Sequence, residues 1–305
     1  MSLPDSIATP SGLLGEEDFD RLRHVRSSEP ESIAAIFAAR RRRPLMVGDR
    51  RLFILAADHT ARGAFGVRGE AMAMASRYDL LKRLAVALSR PGVDGVLGTP
   101  DILEDLAILG LLEGKIAVGS MNRGGLYGST FEMDDRYTGY DIGSMLSSGL
   151  DFAKLLIRIN LADAGTARTL EETAHAVTQS AQARLPIMLE PFMSKWVDGR
   201  IRNDLTTEAV ITSVAVASGL GASSAYSWLK LPVVANMERV LEASTLPTLL
   251  LGGDPHGSPD ETYASWAGAL ALPGVHGLVV GRALLYPADD DVASVVDTAA
   301  RLVHS

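Results

Sequence analysis

The chain contains no cysteine, which excludes disulfides, thiolate nucleophiles and zinc–thiolate sites. No apolar run approaches the roughly 20 residues needed to span a bilayer, and no signal-peptide pattern opens the sequence. A cytoplasmic protein with no membrane partner is therefore expected. Positive charge is also short: 29 lysines and arginines stand against 37 acidic residues, for a net charge of −8. With no basic stripe carrying interleaved aromatics, nucleic acid is not an expected partner. Lysine is the scarcest cation, at five positions: Lys82, Lys115, Lys154, Lys195 and Lys230.

What is present is ordinary for a globular protein: 305 residues, 47% hydrophobic and 22% charged. Residues 1–50 differ from the rest. They are rich in charge, carry an expected helix from about Glu31, and end in the run Arg40-Arg41-Arg42-Arg43-Pro44. That run reads as a solvated helix C-terminus, where cations suit the dipole and proline stops the helix. An N-terminal helical extension over 1–50 and a catalytic domain over 51–305 follow from this division.

From residue 51 onward short apolar runs recur, each ending in a polar or glycine-containing turn before a helical stretch. They are LFILAAD (52–58), DGVLGTP (94–100), KIAVGS (115–120), AKLLIRIN (153–160), PIMLEP (186–191), YSWLKL (226–231), PTLLLGG (247–253) and HGLVVGR (276–282). Near-continuous apolar strands without alternation are expected of parallel strands covered on both faces. Connecting segments such as 201–220 and 235–245 are long enough for crossover helices. Eight such units over about 250 residues predict a (β/α)8 TIM barrel. An open doubly wound sheet is the alternative, but no G-x-G-x-x-G follows the first strand.

Catalytic groups in such barrels sit at the C-terminal ends of strands. Strand alternation puts Lys154 and Arg158 on one face, with Arg158 nearer the mouth, and aligns Glu190 with Met188 and Lys230 with Trp228. If those faces point inward, two lysines and a carboxylate converge from strands four, five and six. A buried lysine beside a second cation has its charged form disfavoured, and a neutral amine forms Schiff bases with ketones. A nearby carboxylate would move the protons. The bland alternatives are that Lys230 snorkels to solvent and that Lys154 merely pairs with Asp58 or Glu190. A second signal is glycine: Gly252-Gly253 and Gly281-Arg282 end the last two strands, where backbone N–H groups and a guanidinium suit a phosphate.

These residues resemble the class I (Schiff-base) aldolases of the DeoC/FbaB/LacD superfamily, particularly the tagatose-bisphosphate and sulfofructose-phosphate branch. The resemblance covers residues 50–300 and is carried by LAADH, FAKLLIRI, LPIMLEPF, YSWLKLPVVANMERV, LLLGGDP and LVVGRAL. It implies Lys230 as the Schiff-base lysine, Glu190 as acid/base, and Asp58 and Lys154 as residues that orient and tune the amine. Gly252, Gly253, Gly281 and Arg282 would hold a phosphate, with His59 beside them, while Arg123 and Arg158 would read a second anionic group.

The sequence also departs from the family pattern. Phe192 stands where archaeal fructose-bisphosphate aldolases place a tyrosine acid, which favours the glutamate-using branch. Asp254 and His256 put acid and imidazole beside the proposed phosphate loop. Segment 121–149 is a long insertion, either a substrate-shaping lid or a plain surface loop. No cofactor and no metal are implied; the expected partners are a phosphorylated sugar and further copies of the chain, as a homo-oligomer.

Several readings stay open. The substrate is a phosphorylated ketose or a keto-deoxy-sugar-acid phosphate yielding dihydroxyacetone phosphate, or else a deoxyribose phosphate. A non-catalytic sugar-phosphate-binding barrel would keep the glycine loops alone. A metal-dependent barrel would have to draw on His59, His256 and His276, which form no close-spaced pair.

Overall fold

The computed structural model describes residues 14–253 and 258–305. Nine strands occur among them: β1 (Leu52–Ala56), β2 (Gly95–Gly98), β3 (Ile116–Ser120), β4 (Phe152–Ile159), β5 (Ile187–Val197), β6 (Arg200–Asn203), β7 (Ser227–Pro232), β8 (Thr248–Leu251) and β9 (Val275–Val280). Eight pair in parallel, and the β1–β9 and β4–β5 pairings close them into a (β/α)8 barrel. Helices between the strands cover its outer face, as the continuous apolar runs require.

β6 is the exception. It lies antiparallel to the distal part of β5 and outside the ring. An Asp198-Gly199 turn with both residues at positive φ joins the two, a dipeptide suited to tight hairpins. The segment 201–220 therefore opens with a strand residue run, and its helix begins only at Thr207, capped by Thr206.

Strand alternation sorts the side chains into two apolar regions. Phe53, Leu55, Ala153, Leu155, Leu189, Leu229 and Leu231 face the helices. Leu52, Ile54, Ala56, Leu97, Ile116, Val118, Phe152, Met188, Leu249 and Val279 fill the barrel interior, with Trp228 packed against them. This interior layer occupies the N-terminal half of the barrel, so the residues that follow it along each strand are displayed towards the C-terminal mouth.

Two helices, Glu16–Ser28 and Ser32–Ala39, precede the barrel. Phe19, Leu22 and Val25 bury one face of the first, and Phe19 stacks on Tyr78 at 4.0 Å. The arginine run that follows the second is solvated only in part: Arg41 and Arg42 are exposed, while Arg40 is buried and Arg43 half-buried. Arg40 is buried and donates to the carbonyls of Lys115 and Gly149, both at 2.7 Å, and to Asp151 Oδ2 at 3.0 Å. Arg42 pairs with the other Asp151 oxygen, and Arg43 with Asp94. The reason lies in the barrel floor. Asp94 and Asp151, just ahead of β2 and β4, accept the N–H groups of Phe53 and Ala117, and such buried carboxylates require counter-charges. Leu45 and Met46 then pack against the interior layer and plug that end. Among the described residues no helix is long and apolar enough to cross a membrane.

Arg40→Ala leaves two part-buried carbonyls and one oxygen of the buried Asp151 without their partner and should cost about 3–5 kcal/mol. Arg41→Ala, whose side chain is exposed, should stay within about 0.5 kcal/mol. Urea unfolding of the two variants checks this difference; equal stabilities would show that the run is not a structural seal.

Candidate active site

Above the apolar interior, the inward-facing series of five strands bring Asp58, Ser120, Lys154, Glu190 and Lys230 to one level. Asp58 lies two residues past the end of β1, Ser120 ends β3, and the others lie on β4, β5 and β7. Lys154 Nζ sits 2.9 Å from Asp58 Oδ2 and 2.8 Å from Glu190 Oε2. Lys230 Nζ donates to the other Glu190 oxygen, Oε1, at 2.8 Å. Glu190 thus bridges both lysines, and both ammonium positions are almost wholly buried. Ser120 donates to Asp58 Oδ2 at 3.2 Å.

The two lysines differ in their partners, and this sets their charge. Burial alone would depress Lys154, but Asp58 and Glu190 on either side more than offset it and hold it above the ordinary lysine range. It stays an ammonium. Burial also depresses Lys230; Glu190 opposes, Lys154 adds to the depression, and the net shift is downward. Burial would raise the two carboxylates, yet Lys154 and its neighbours hold Asp58 far below the usual range and Glu190 at about 2. The charged form is favoured at Lys154 and disfavoured at Lys230.

The other predicted residues fall in separate places. Leu156, Phe192 and Leu251 form a small apolar group above the charged layer. Arg158, two positions on along β4 from Leu156, is buried at the mouth and faces Glu132 at 3.3 Å. Gly252 and Gly253 follow β8, and Gly281 follows β9. A side chain on Gly281 would meet the Ala56 carbonyl at 2.2 Å and the His59 ring at 2.8 Å, so only glycine allows β9 to end against β1 there. Arg282 opens the short helix after it and reaches the Gly66 carbonyl at 3.4 Å. Arg123 is exposed, and its Nε donates to Thr138; the structure does not bring it into the lysine–carboxylate network. His276 is the second residue of β9, at the opposite end of the barrel from His59, and packs its ring against Trp228. Asp254 and His256 lie outside the described residues.

Sequence reasoning left segment 121–149 as either a lid or a surface loop, without the residues by which it joins the barrel. Past the end of β3 the edge of β4 needs new partners, and Asn122 supplies them. Its Oδ1 accepts from Leu156 N at 2.9 Å, and its Nδ2 donates to Leu156 O at 2.7 Å and to Asp135 at 2.8 Å. Asp135 is buried, and burial raises its pKa to about 6, with the Gly125 N–H and Arg158 opposing the rise. Glu132 is buried too. Ser120 is legible in the sequence as the end of the third apolar run, and on β3 it continues the inward series of Ile116 and Val118. Asn122, Glu132 and Asp135 lie in a segment with no periodicity to place them.

Residues 50–300 match the family model described as Cgl0159-like, and the chain belongs to that family. It is similar to Cgl0159 from Corynebacterium glutamicum (Brevibacterium flavum), known from a crystal structure, with 65% identity over 95% of this chain and 98% of that one and a TM-score of 0.93. A Schiff-base-forming fructose-1,6-bisphosphate aldolase shares 19% identity over 89% of this chain and 99% of its own, at a TM-score of 0.63. The fructose-bisphosphate aldolase of Slackia heliotrinireducens shares 14% over 99% of this chain and 91% of its own, at 0.62. At such identities the likeness to these two is one of fold. No curated protein matches the chain.

His59 supplies a pH test of the site. Burial is the main cause that lowers its pKa, to about 3 from 6.5; Asp58 opposes, while Arg282, Arg62 and Lys230 add. As pH falls below 6.5 the unfolded chain takes up this proton and the native one does not, so stability present above pH 6.5 is lost down to about pH 3. Asp135, raised to about 6 from 3.8, acts with the opposite sign between those two values. The difference between wild type and His59→Gln isolates the histidine. Between pH 6.5 and 4 the variant should gain on wild type by roughly 1.4 kcal/mol per pH unit in urea unfolding. Parallel curves would place a charged His59 in the native state.

Proposed function

We propose that the chain is a metal-independent class I aldolase. It cleaves or forms a C–C bond in a phosphorylated ketose or keto-deoxy-sugar-acid phosphate through a Schiff base on Lys230, with dihydroxyacetone phosphate and an aldehyde as the products of cleavage. The observation that carries this reading is the bridge made by Glu190, one oxygen on each lysine, with Lys154 paired a second time by Asp58. Two buried lysines needing only charge balance would not be expected to differ in this way. The likeness in fold to an aldolase named for its Schiff base adds support.

The steps follow from the charges. Lys230 gives its proton to Glu190, and its amine adds to the substrate ketone. Glu190 returns that proton to the carbinolamine hydroxyl, which departs as water and leaves the iminium. Glu190, again a carboxylate, takes the proton of the hydroxyl one carbon beyond the scissile bond. The C–O electrons become the aldehyde carbonyl, and the electrons of the breaking C–C bond move into the iminium to give an enamine. Protonation of the enamine carbon and hydrolysis of the regenerated iminium release the ketone product. Lys154 remains cationic throughout and stabilises oxygen anions as they form. Asp58 and Ser120 fix its position. The Gly252 N–H is donated to the Val279 carbonyl at 3.3 Å, so the backbone N–H groups of Gly253 and Gly281 with the Arg282 fork hold the phosphate.

A panel of phosphorylated aldols, assayed for dihydroxyacetone phosphate in the presence of a chelator, tests the proposal. Turnover of at least one substrate, unaffected by the chelator, is expected. Glu190→Gln should still capture substrate covalently but turn over about 10²–10⁴-fold more slowly, the usual loss for a general acid/base. Arg282→Ala should raise KM and leave Lys230 reactive. A near-normal kcat in Glu190→Gln would reduce the glutamate to a counter-ion, and activity abolished by chelation would overturn the class.

A further inference from the structure

Leu156, Phe192 and Leu251 form one apolar group although their strands are not all neighbours: β7, which carries Lys230, runs between β5 and β8. The strand register fixes the level of this group. Leu156 pairs with Glu190 across β4 and β5, and Phe192 stands two residues beyond Glu190 on the same face. Leu249 pairs with Lys230, so Leu251 stands one inward position above the lysine. The group therefore spans the mouth just above the Glu190–Lys230 ion pair.

It is not a continuation of the closed core. Leu156, Phe192 and Leu251 keep 9%, 6% and 8% of their surfaces open, whereas the ten buried residues of the interior layer keep 2% or less. These three side chains border the space above Lys230. The backbone beside them is occupied. The N–H and the carbonyl of Leu156 are both taken by the Asn122 amide, at 2.9 and 2.7 Å, and the remaining Asn122 donor goes to Asp135. Pro232, level with Leu251 on β7, has no N–H to give. Segment 121–149 closes over the same wall: Gly124 adopts φ +70°, and a side chain there would meet Leu156 Cδ1 at 3.1 Å. The polar side chains of the charged layer on this side are lysines and Glu190, already paired with one another, while Ser120 and Asp58 stand across the mouth on and after β3 and β1.

The order of strands then sets how a substrate lies. The phosphate loops follow β8 and β9, on one side of Lys230, and Glu190 lies on β5, on the other. The half that leaves as the aldehyde runs from Lys230 past Glu190, towards β5 and β4, against Phe192 and Leu156. A hydroxyl pressed on those side chains loses its water and gains no partner; a methylene loses nothing.

We propose that Leu156 and Phe192 are specificity-determining residues that select an aldehyde half whose carbon next to the carbonyl is a methylene. The substrate is then a ketose phosphate with no oxygen on the carbon adjoining the one whose hydroxyl Glu190 deprotonates. This selectivity rests on the aldolase reading of Lys230 and Glu190, whose substrate class it narrows.

Aldol addition of dihydroxyacetone phosphate to two aldehydes that differ only at that carbon, 3-hydroxypropanal and glyceraldehyde, tests it. Each addition joins one ketone phosphate to one aldehyde with no other reactant. In wild type kcat/KM should favour 3-hydroxypropanal by about 10–100-fold, the range in which an apolar surface rejects an added hydroxyl. Leu156→Asn and Phe192→Tyr each put a hydrogen-bonding group on the wall and should lower that preference by about fivefold or more. Loss of packing alone slows both aldehydes alike and leaves the ratio unchanged, and differences in hydration of the free aldehydes cancel between wild type and variant. Exchange of the hydroxymethyl hydrogen of dihydroxyacetone phosphate with solvent deuterium, measured without any aldehyde, reports the enamine chemistry by itself. Exchange together with a wild-type ratio near unity, or with a ratio unchanged in both variants, would overturn the selectivity and leave the aldolase reading standing. No exchange would overturn that reading and the selectivity with it.

Discussion

The structure is organised around one electrostatic problem: two lysines and two carboxylates held within hydrogen-bond distance inside a barrel closed to water from below. Each buried charge must be offset by a neighbour, because removing it from water is far more costly than any single contact can repay. Lys154 has two carboxylate oxygens and Lys230 has one. That inequality makes one amine a fixed cation and leaves the other with its proton weakly held. The proposed chemistry is a consequence of this difference rather than of either lysine alone.

The rest of the fold maintains it. Apolar side chains from seven strands pack the lower barrel, and Leu45 and Met46 pack against them, so that the charged layer rests on apolar side chains. Arg40, Arg42 and Arg43 balance Asp94 and Asp151 at the floor. At the mouth, Asn122 extends the β4 edge and anchors Asp135, while the same segment sets Glu132 against Arg158. The charged layer therefore lies between an apolar floor and a mouth that combines the apolar group of Leu156, Phe192 and Leu251 with polar loop residues, and a fixed field acts strongly on a substrate bound in such a site.

Much of this was legible in the sequence because parallel strands are covered on both faces and read as unbroken apolar runs. Once eight such runs are aligned, the two-residue period sorts Lys154, Glu190 and Lys230 onto faces that converge if they point inward, and the structure shows that they do. The same period places Ser120, the end of the third run, on the face of Ile116 and Val118. The arginine run misled because its local pattern, cations before a proline, is that of an exposed helix end; its acidic partners lie from 51 to 111 residues away in the chain. The β5–β6 hairpin was hidden because β5 continues past the barrel rim, where inward and outward cease to mean core and surface. The roof was hidden for a different reason. Asn122, Glu132 and Asp135 are held by side-chain hydrogen bonds and close backbone approaches in an irregular segment, and neither leaves a periodic trace.

The central claim is that the lysine with one carboxylate, not the lysine with two, is the nucleophile. Incubation with dihydroxyacetone phosphate and borohydride, followed by peptide mass mapping, tests it directly. The account predicts a reduced adduct on the peptide containing Lys230, retained in Lys154→Met and absent in Lys230→Ala. An adduct on Lys154, or none on either lysine, would contradict it.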